Sequence, residues 1–382
     1  MNRLFLLFLI LHYSIRGYTQ NKSETDNFEI FSDTLMVNDM TIISQDTNIH
    51  YKEVVNLFRF YHLNYLNKDS IIVCFSKDAL KEQSADRIPR GTLYYKGHKV
   101  LPLLMKIRRE NANNFSADVA YNLFFNQQYK GITSIIRYHI VVENGKFKLD
   151  FDYSKGLQQY ATQSKHVQYY SYTNVNAEKH ISILDSSNTF LSNIFQINPI
   201  QFTYYDYQSI DELMSATGLI YFPFSNSWSK YGFPDEVNKK IFFSGKLDKG
   251  HELTHIYIRE KFGTTPHSWF NEGFATLLFG SSGDDLEKDL ALLKKDLEQH
   301  PEYNLNNLLE YSKMKMSMYT SYMYSIGALF CKLAYKKNGY KGIFNLLSYG
   351  SSDADFYSAI ENELGVKQTN LNEYIRKELE KY

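Results

Sequence analysis

His251-Glu252-Leu-Thr-His255, with Glu272 seventeen residues further on, restricts this chain more than any other feature. The chemistry of these residues converges only if the first five are helical. Positions four apart on an α-helix lie about 40° apart around its axis. Both imidazoles then reach one tetrahedral Zn²⁺, each giving a neutral nitrogen at about 2.0–2.1 Å. Glu252 is rotated about 100° from His251. It is poorly aimed at the same ion but well aimed at a water held on it, the general-base position of such a helix. The local signals agree with a helix. Asp248 is a good N-cap, Gly250 is tolerable in a first turn, and Gly263 is placed as a stop. Leu253, Ile256 and Tyr257 fall on a face distinct from the histidines.

A catalytic zinc takes three protein ligands and keeps a fourth position for water. A third histidine six residues after the second is excluded, because Lys261 stands there and Ile258 replaces the glycine such a pattern needs. The remaining solution is a glutamate from a second helix. Pro266 ends the intervening loop, Ser268 can cap a new helix, and Trp269 to Phe279 carries Glu272 in its first turn. Phe270, Phe274, Leu277 and Leu278 keep helical spacing and would pack this helix on the first. Gly273, beside the ligand, permits close backbone approach. His267, in the loop, is read as a non-ligand. Thr276, four after Glu272, is read either as a hydrogen-bond partner of a ligand or as a surface residue.

The His251–His255 helix followed by Trp269-Phe-Asn-Glu272-Gly-Phe-Ala resembles the gluzincin metallopeptidases, the thermolysin-like and aminopeptidase N-like group. The resemblance is specific over residues 240–280 and does not reach the first 160. It implies His251, His255 and Glu272 as ligands of one Zn²⁺ per chain, Glu252 as base, and a peptide or protein as substrate. Family enzymes also place a tyrosine on a later helix at the oxyanion of the tetrahedral intermediate. Tyr324-Ser-Ile-Gly327 fits that pattern, with Tyr322 and Tyr319 as alternatives, on a helix running to about Lys337 before Asn338-Gly339. Residues 238–245 read as a strand feeding the zinc helix, where the family pairs an edge strand with extended substrate. Two departures stand out. The gap from His255 to Glu272 is two residues shorter than the usual aminopeptidase spacing, and no Gly-x-Met-Glu-Asn segment precedes it. Both favour an endopeptidase or an unusual exopeptidase over an aminopeptidase. A catalytically silent binding protein that keeps the zincin shell is the alternative, and the same shell turned to another hydrolysis, such as epoxide opening, a more distant one.

Arg3 followed by the apolar run Leu4 to Leu11 has the form of a secretory signal peptide over residues 1–20, which implies a secreted or periplasmic protein. Forty-two basic and 42 acidic residues balance. Without residues 1–20 the chain loses Arg3 and Arg16 and no acid, leaving 40 against 42. Such a balance points to neither nucleic acid nor anionic membrane as a partner, and no later segment is apolar enough to span a bilayer. Two cysteines, Cys74 and Cys331, allow at most one bridge.

Length implies two domains. Residues 21–165 read as an accessory or substrate-docking α+β module. It has a helix from Tyr51 to Leu66, strands Phe115 to Phe125 and Thr133 to Val142, and a hairpin through Glu143-Asn144-Gly145 to Phe147–Tyr153. One helix on a curved antiparallel sheet is similar to cystatin-like or NTF2-like modules. Residues 166–382 read as the catalytic part, helix His180 to Phe195, strand Ile200 to Tyr207, helix Ile210 to Thr217, and strands Leu219 to Phe222 and Lys240 to Phe243. An almost wholly helical remainder follows, in which 284–298 is a solvated amphipathic helix. The expected fold class is α+β, a thermolysin-like zincin domain with mixed sheet, zinc helix and helical C-terminal lobe, preceded by the small module.

Overall fold

The computed structural model describes residues 36–37, 51–64, 68–81, 99–125, 128–150, 160–171, 176–221, 231–245, 247–264, 266–281, 285–312, 314–316 and 320–382. They build a mixed helix-and-sheet, α+β protein. The expected signal peptide, Leu66, Tyr153, Phe222 and Tyr319 lie outside the described residues. The chain divides into two compact units, one containing residues 36–150 and 207–221, the other 160–206 and 231–382.

In the first unit, strands β1 (Met36–Val37), β2 (Lys99–Arg109), β3 (Asn114–Phe125), β4 (Gln128–Glu143) and β5 (Lys146–Asp150) lie in that order in one sheet. All pair antiparallel except β1 with β2. The β4–β5 turn has Asn144 at φ 53° and Gly145 at φ 72°, the two positive values that a two-residue hairpin of matching twist requires. Helix α1 (Tyr51–Asn64) buries Val54, Phe58 and Tyr61, one stripe at helical spacing. Phe58 meets Tyr138 of β4 edge-on at 5.1 Å. Strand β2 is not legible as a strand, because Pro102 interrupts it; the structure nonetheless pairs Pro102 with Tyr121. Helix α3 (Ile210–Ala216) and strand β9 (Leu219–Tyr221), expected in the catalytic part, belong to this unit instead, with β9 pairing β4 antiparallel. Strand β5 pairs β4 only from His139 to Glu143, which leaves Ile135 and Ile136 to pair with β9, and sequence patterning does not say which sheet a short strand joins.

His62, 9% exposed, sits inside this unit. Its Nδ1 donates to the Phe58 carbonyl at 2.8 Å. Its Nε2 therefore accepts from Tyr121 Oη at 3.0 Å, and Tyr138 Oη lies 2.5 Å from Tyr121 Oη. Burial lowers the His62 pKa from 6.5 to about 4. The imidazole is neutral when folded and protonates when unfolded, so stability is full above about pH 6.5 and falls as pH drops toward 4. The loss is about 3 kcal/mol. We expect the thermal midpoint of the full chain to fall steeply between pH 6.5 and 4.5, and His62→Gln to flatten that slope. An unchanged slope in His62→Gln would show that another group carries the acid lability.

The second unit holds a sheet of β6 (Tyr160–Gln163), β7 (Val167–Ser171), β8 (Phe202–Tyr207), β10 (Tyr231–Asp235) and β11 (Lys240–Ser244), in the order β10-β11-β8-β7-β6. Strands β7 and β8 are parallel and are joined through helix α2 (Ala177–Phe195), the crossover that a parallel pair needs. Strand β6 begins at Tyr160, so this unit starts before the boundary the sequence suggested at residue 166. Strand β11 is not an edge, since β10 and β8 flank it.

Helices follow: α4 (His251–Phe262), α5 (Ser268–Phe279), α6 (Leu286–Gln299), α7 (Tyr322–Ser348), α8 (Asp353–Ala359) and α9 (Leu371–Leu379). Leu253, Ile256, Tyr257, Trp269, Phe270, Phe274, Leu290, Ile326 and Phe330 form the heart of one core. Helix α6 is amphipathic as expected, yet its Leu286, Leu290, Leu293 and Leu297 are buried, so only one face meets solvent. Helix α7 breaks at Asn338 and Gly339 and then resumes to Ser348. Cys74 and Cys331 are both buried free thiols, and burial raises the Cys74 pKa to about 11. Among the described residues no helix is long and apolar enough to cross a membrane.

Candidate metal centre

Helix α4 starts with Asp248 beneath it. The Asp248 carboxylate accepts the backbone N–H of His251 (3.0 Å) and of Glu252 (3.0 Å). The helix boundary falls at Gly250, two residues after the residue that does the capping. Gly250 has φ 152°, and a Cβ there would lie 2.5 Å from the Phe279 ring. At its other end Gly263 donates to the Arg259 carbonyl at 2.8 Å. The face away from the histidines is anchored by Tyr257, whose hydroxyl donates to Asn188 Oδ1 of α2 at 2.5 Å.

Helix α5 begins one residue earlier than expected, at Ser268 itself. His267, not Ser268, is the N-cap, with its Nδ1 accepting from Trp269 N at 3.5 Å. The His267 ring also packs on Phe356 at 4.6 Å and takes no part in the metal cluster. Glu272 is carried inward by the first turns of α5 and is 2% exposed.

His251, His255 and Glu272 bring one ligand atom each to within 4.8 Å of one another. His251 Nε2 lies 3.1 Å and His255 Nε2 3.6 Å from Glu272 Oε2. Donors at about 2.1 Å from a tetrahedral ion stand about 3.4 Å apart, so the spacing fits a zinc-sized cation. The far side of each ring fits as well. His251 Nδ1 donates to the Gly280 carbonyl at 3.0 Å, and His255 Nδ1 to Asn271 Oδ1 at 3.1 Å. Both bonds fix the tautomer that leaves Nε2 with a lone pair for metal. Asn271 and Gly280 were missed by sequence reasoning; the one signal was that Asn271 immediately precedes Glu272.

Glu252 is half-buried at the start of α4. Tyr324, in the first turn of α7, has its ring 6.1 Å from that of His251. Tyr322 is different. Its hydroxyl donates to Asp296 Oδ2 at 2.6 Å, and burial pushes its pKa up. Thr276 is fully buried rather than on the surface, and its hydroxyl has no hydrogen-bond partner among the described residues.

Helices α5 and α7 touch through backbone. A Cβ on Gly273 would lie 2.2 Å from the Gly327 carbonyl carbon, and one on Gly327 would lie 2.1 Å from the Trp269 carbonyl oxygen. This contact holds the helix of Glu272 against the helix of Tyr324.

No protein-family model matches the chain, and no curated protein does. Among solved structures, an M1 zinc metallopeptidase from Deinococcus radiodurans matches with 12% sequence identity and a TM-score of 0.28, over 73% of this chain and 63% of that one. So loose a likeness adds nothing to the geometry above.

Proposed function

We propose that this protein is a zinc-dependent peptidase of gluzincin type, with His251, His255 and Glu272 holding one Zn²⁺, Glu252 as general base and Tyr324 at the oxyanion. The observation that carries the reading is the convergence of two Nε2 atoms and one carboxylate at tetrahedral spacing, each imidazole held from behind. Bound there, the ion supplies a Lewis acid for the scissile carbonyl and a water with pKa near 7. Glu252 takes the proton of the attacking water and returns it to the departing amine. Tyr324, beside His251, donates its phenol to the oxygen on which negative charge develops. Tyr322 is unsuited to that role, because its hydroxyl is engaged by Asp296. The short His255–Glu272 gap and the missing amine-binding segment favour cleavage within a peptide over removal of its N-terminal residue. Substrate strand addition, if used, belongs to β10, since β11 is covered on both sides. The residue 1–20 pattern supports a secreted or periplasmic location.

Metal analysis tests the reading. Purified protein is expected to hold about one zinc per chain, and the His251→Ala/His255→Ala double variant to hold none. A natively folded wild-type chain that takes up no zinc would overturn it. A zinc-loaded chain whose every measurable effect survives Glu252→Gln would instead favour the silent binding protein.

A further inference from the structure

Asp248 does more than begin a helix. It is 8% exposed, and both of its carboxylate oxygens are used on the two consecutive backbone N–H groups that belong to His251 and Glu252. Its own N–H donates to Tyr204 Oη at 3.3 Å. Tyr204 is fully buried on β8 and stacks on Tyr169 of β7 at 5.8 Å with 10° between the rings. The sheet therefore grips Asp248, and Asp248 grips the first turn of α4. On the opposite side, Gly250 lies against Phe279 and the His251 ring bonds the Gly280 carbonyl, so the end of α5 closes the same turn.

We infer that Asp248, braced by Tyr204, is a positioning residue for the metal centre: it sets the rotation of the first turn of α4 and so the aim of His251 and Glu252. The inference rests on the zinc-site reading. An ordinary N-cap satisfies one or two orphan N–H groups and contributes to helix stability alone. Here the two N–H groups belong to the ligand and the base, the carboxylate is two-pronged, and its main chain is tied to a different element. A change at 248 should therefore be felt by a bound metal beyond its effect on folding, as happens when groups supporting a ligand are altered.

Asp248→Asn keeps size and one acceptor but turns an amide NH₂ toward the second N–H. Tyr204→Phe keeps the ring stack and removes only the brace. Asp285→Asn is the control, an exposed carboxylate cap that accepts from Lys288 N at 2.9 Å on α6, with no ligand in its helix. Zn²⁺ affinity is measured by chelator competition on the full chain, with Co²⁺ absorption of the loaded protein and thermal midpoint of the metal-free protein alongside. We expect Asp248→Asn to bind Zn²⁺ about tenfold more weakly with an altered Co²⁺ band. Tyr204→Phe should lose about threefold on the same scale, and Asp285→Asn should bind as wild type. Wild-type Zn²⁺ affinity and Co²⁺ band in Asp248→Asn, with only the midpoint lowered, would reduce Asp248 to a cap and overturn the inference. If Asp248→Asn fails to fold, Tyr204→Phe decides by the same two readouts. A wild-type chain that binds no Zn²⁺ would remove the metal-centre reading itself, a result distinct from either.

Discussion

Glu252→Gln is expected to keep its zinc and lose its turnover, by about 10²–10⁴-fold, whereas Glu272→Gln loses the zinc itself. The two carboxylates sit on adjacent helices of one core, yet only Glu272 has an oxygen among the converging ligand atoms. Glutamine at 252 leaves all three ligands and both ring-supporting bonds untouched, while removing the group that accepts the proton of the attacking water. Glutamine at 272, where the native side chain is 2% exposed, replaces an anionic donor by a weak neutral one. Zinc affinity falls, and the stabilisation that bound metal gives the folded chain falls with it. Zinc content and turnover measured on both variants decide the assignment. The reverse pattern, metal lost from Glu252→Gln and kept by Glu272→Gln, would show that ligand and base have been exchanged.

The second large effect is expected far from any charge. Gly273→Ala and Gly327→Ala each push a methyl into main chain of the facing helix, with nearest approaches of 2.2 and 2.1 Å. No rotamer relieves such a contact, because the obstacle is backbone. Helices α5 and α7 must separate, and overpacking of this kind costs about 3 kcal/mol or more. For a unit of this size that lowers the thermal midpoint by roughly 6–12 °C. Glu272 precedes Gly273 and Tyr324 lies one turn before Gly327, so zinc affinity should drop in the same variants. A Gly327→Ala protein melting within about 2 °C of wild type would mean that the two helices are not held at backbone contact.

What could be read from the sequence follows how far each signal reaches along the chain. The helix pair was legible because the ligand spacing, the apolar stripe of α5 and the stop at Gly263 are all local. The β4–β5 hairpin was legible through Asn144-Gly145 for the same reason. Of the two expected caps, Asp248 does the capping, reaching forward past Gly250 to His251 and Glu252, whereas a histidine ring at 267 took the place a serine was expected to hold. Strand β2 was hidden by Pro102. The allegiance of β9 to β4, and the cover that β10 gives β11, depend on pairings between distant segments that periodicity does not encode. At the site, the convergence of His251, His255 and Glu272 was legible, whereas the partners behind the rings were not, because one is a main-chain carbonyl that carries no side-chain signature. Tyr322 and Tyr324 looked alike in sequence; Asp296, a residue 26 positions away, separates them.

All three residues of the candidate metal cluster lie within residues 251–272, on helices of 12 residues each. Helices that short barely persist alone in water, but closing the stretch between His255 and Glu272 costs only about 2.5 kcal/mol of chain entropy. On the proposed reading, a ribosome that has released residue 280 has already delivered every ligand and both ring-supporting groups. Tyr324 and the Gly327 contact emerge only 44 and 47 residues later. If the proposed function holds, the order of synthesis separates metal capture from catalytic competence, and a growing chain holds its zinc before it can cut anything.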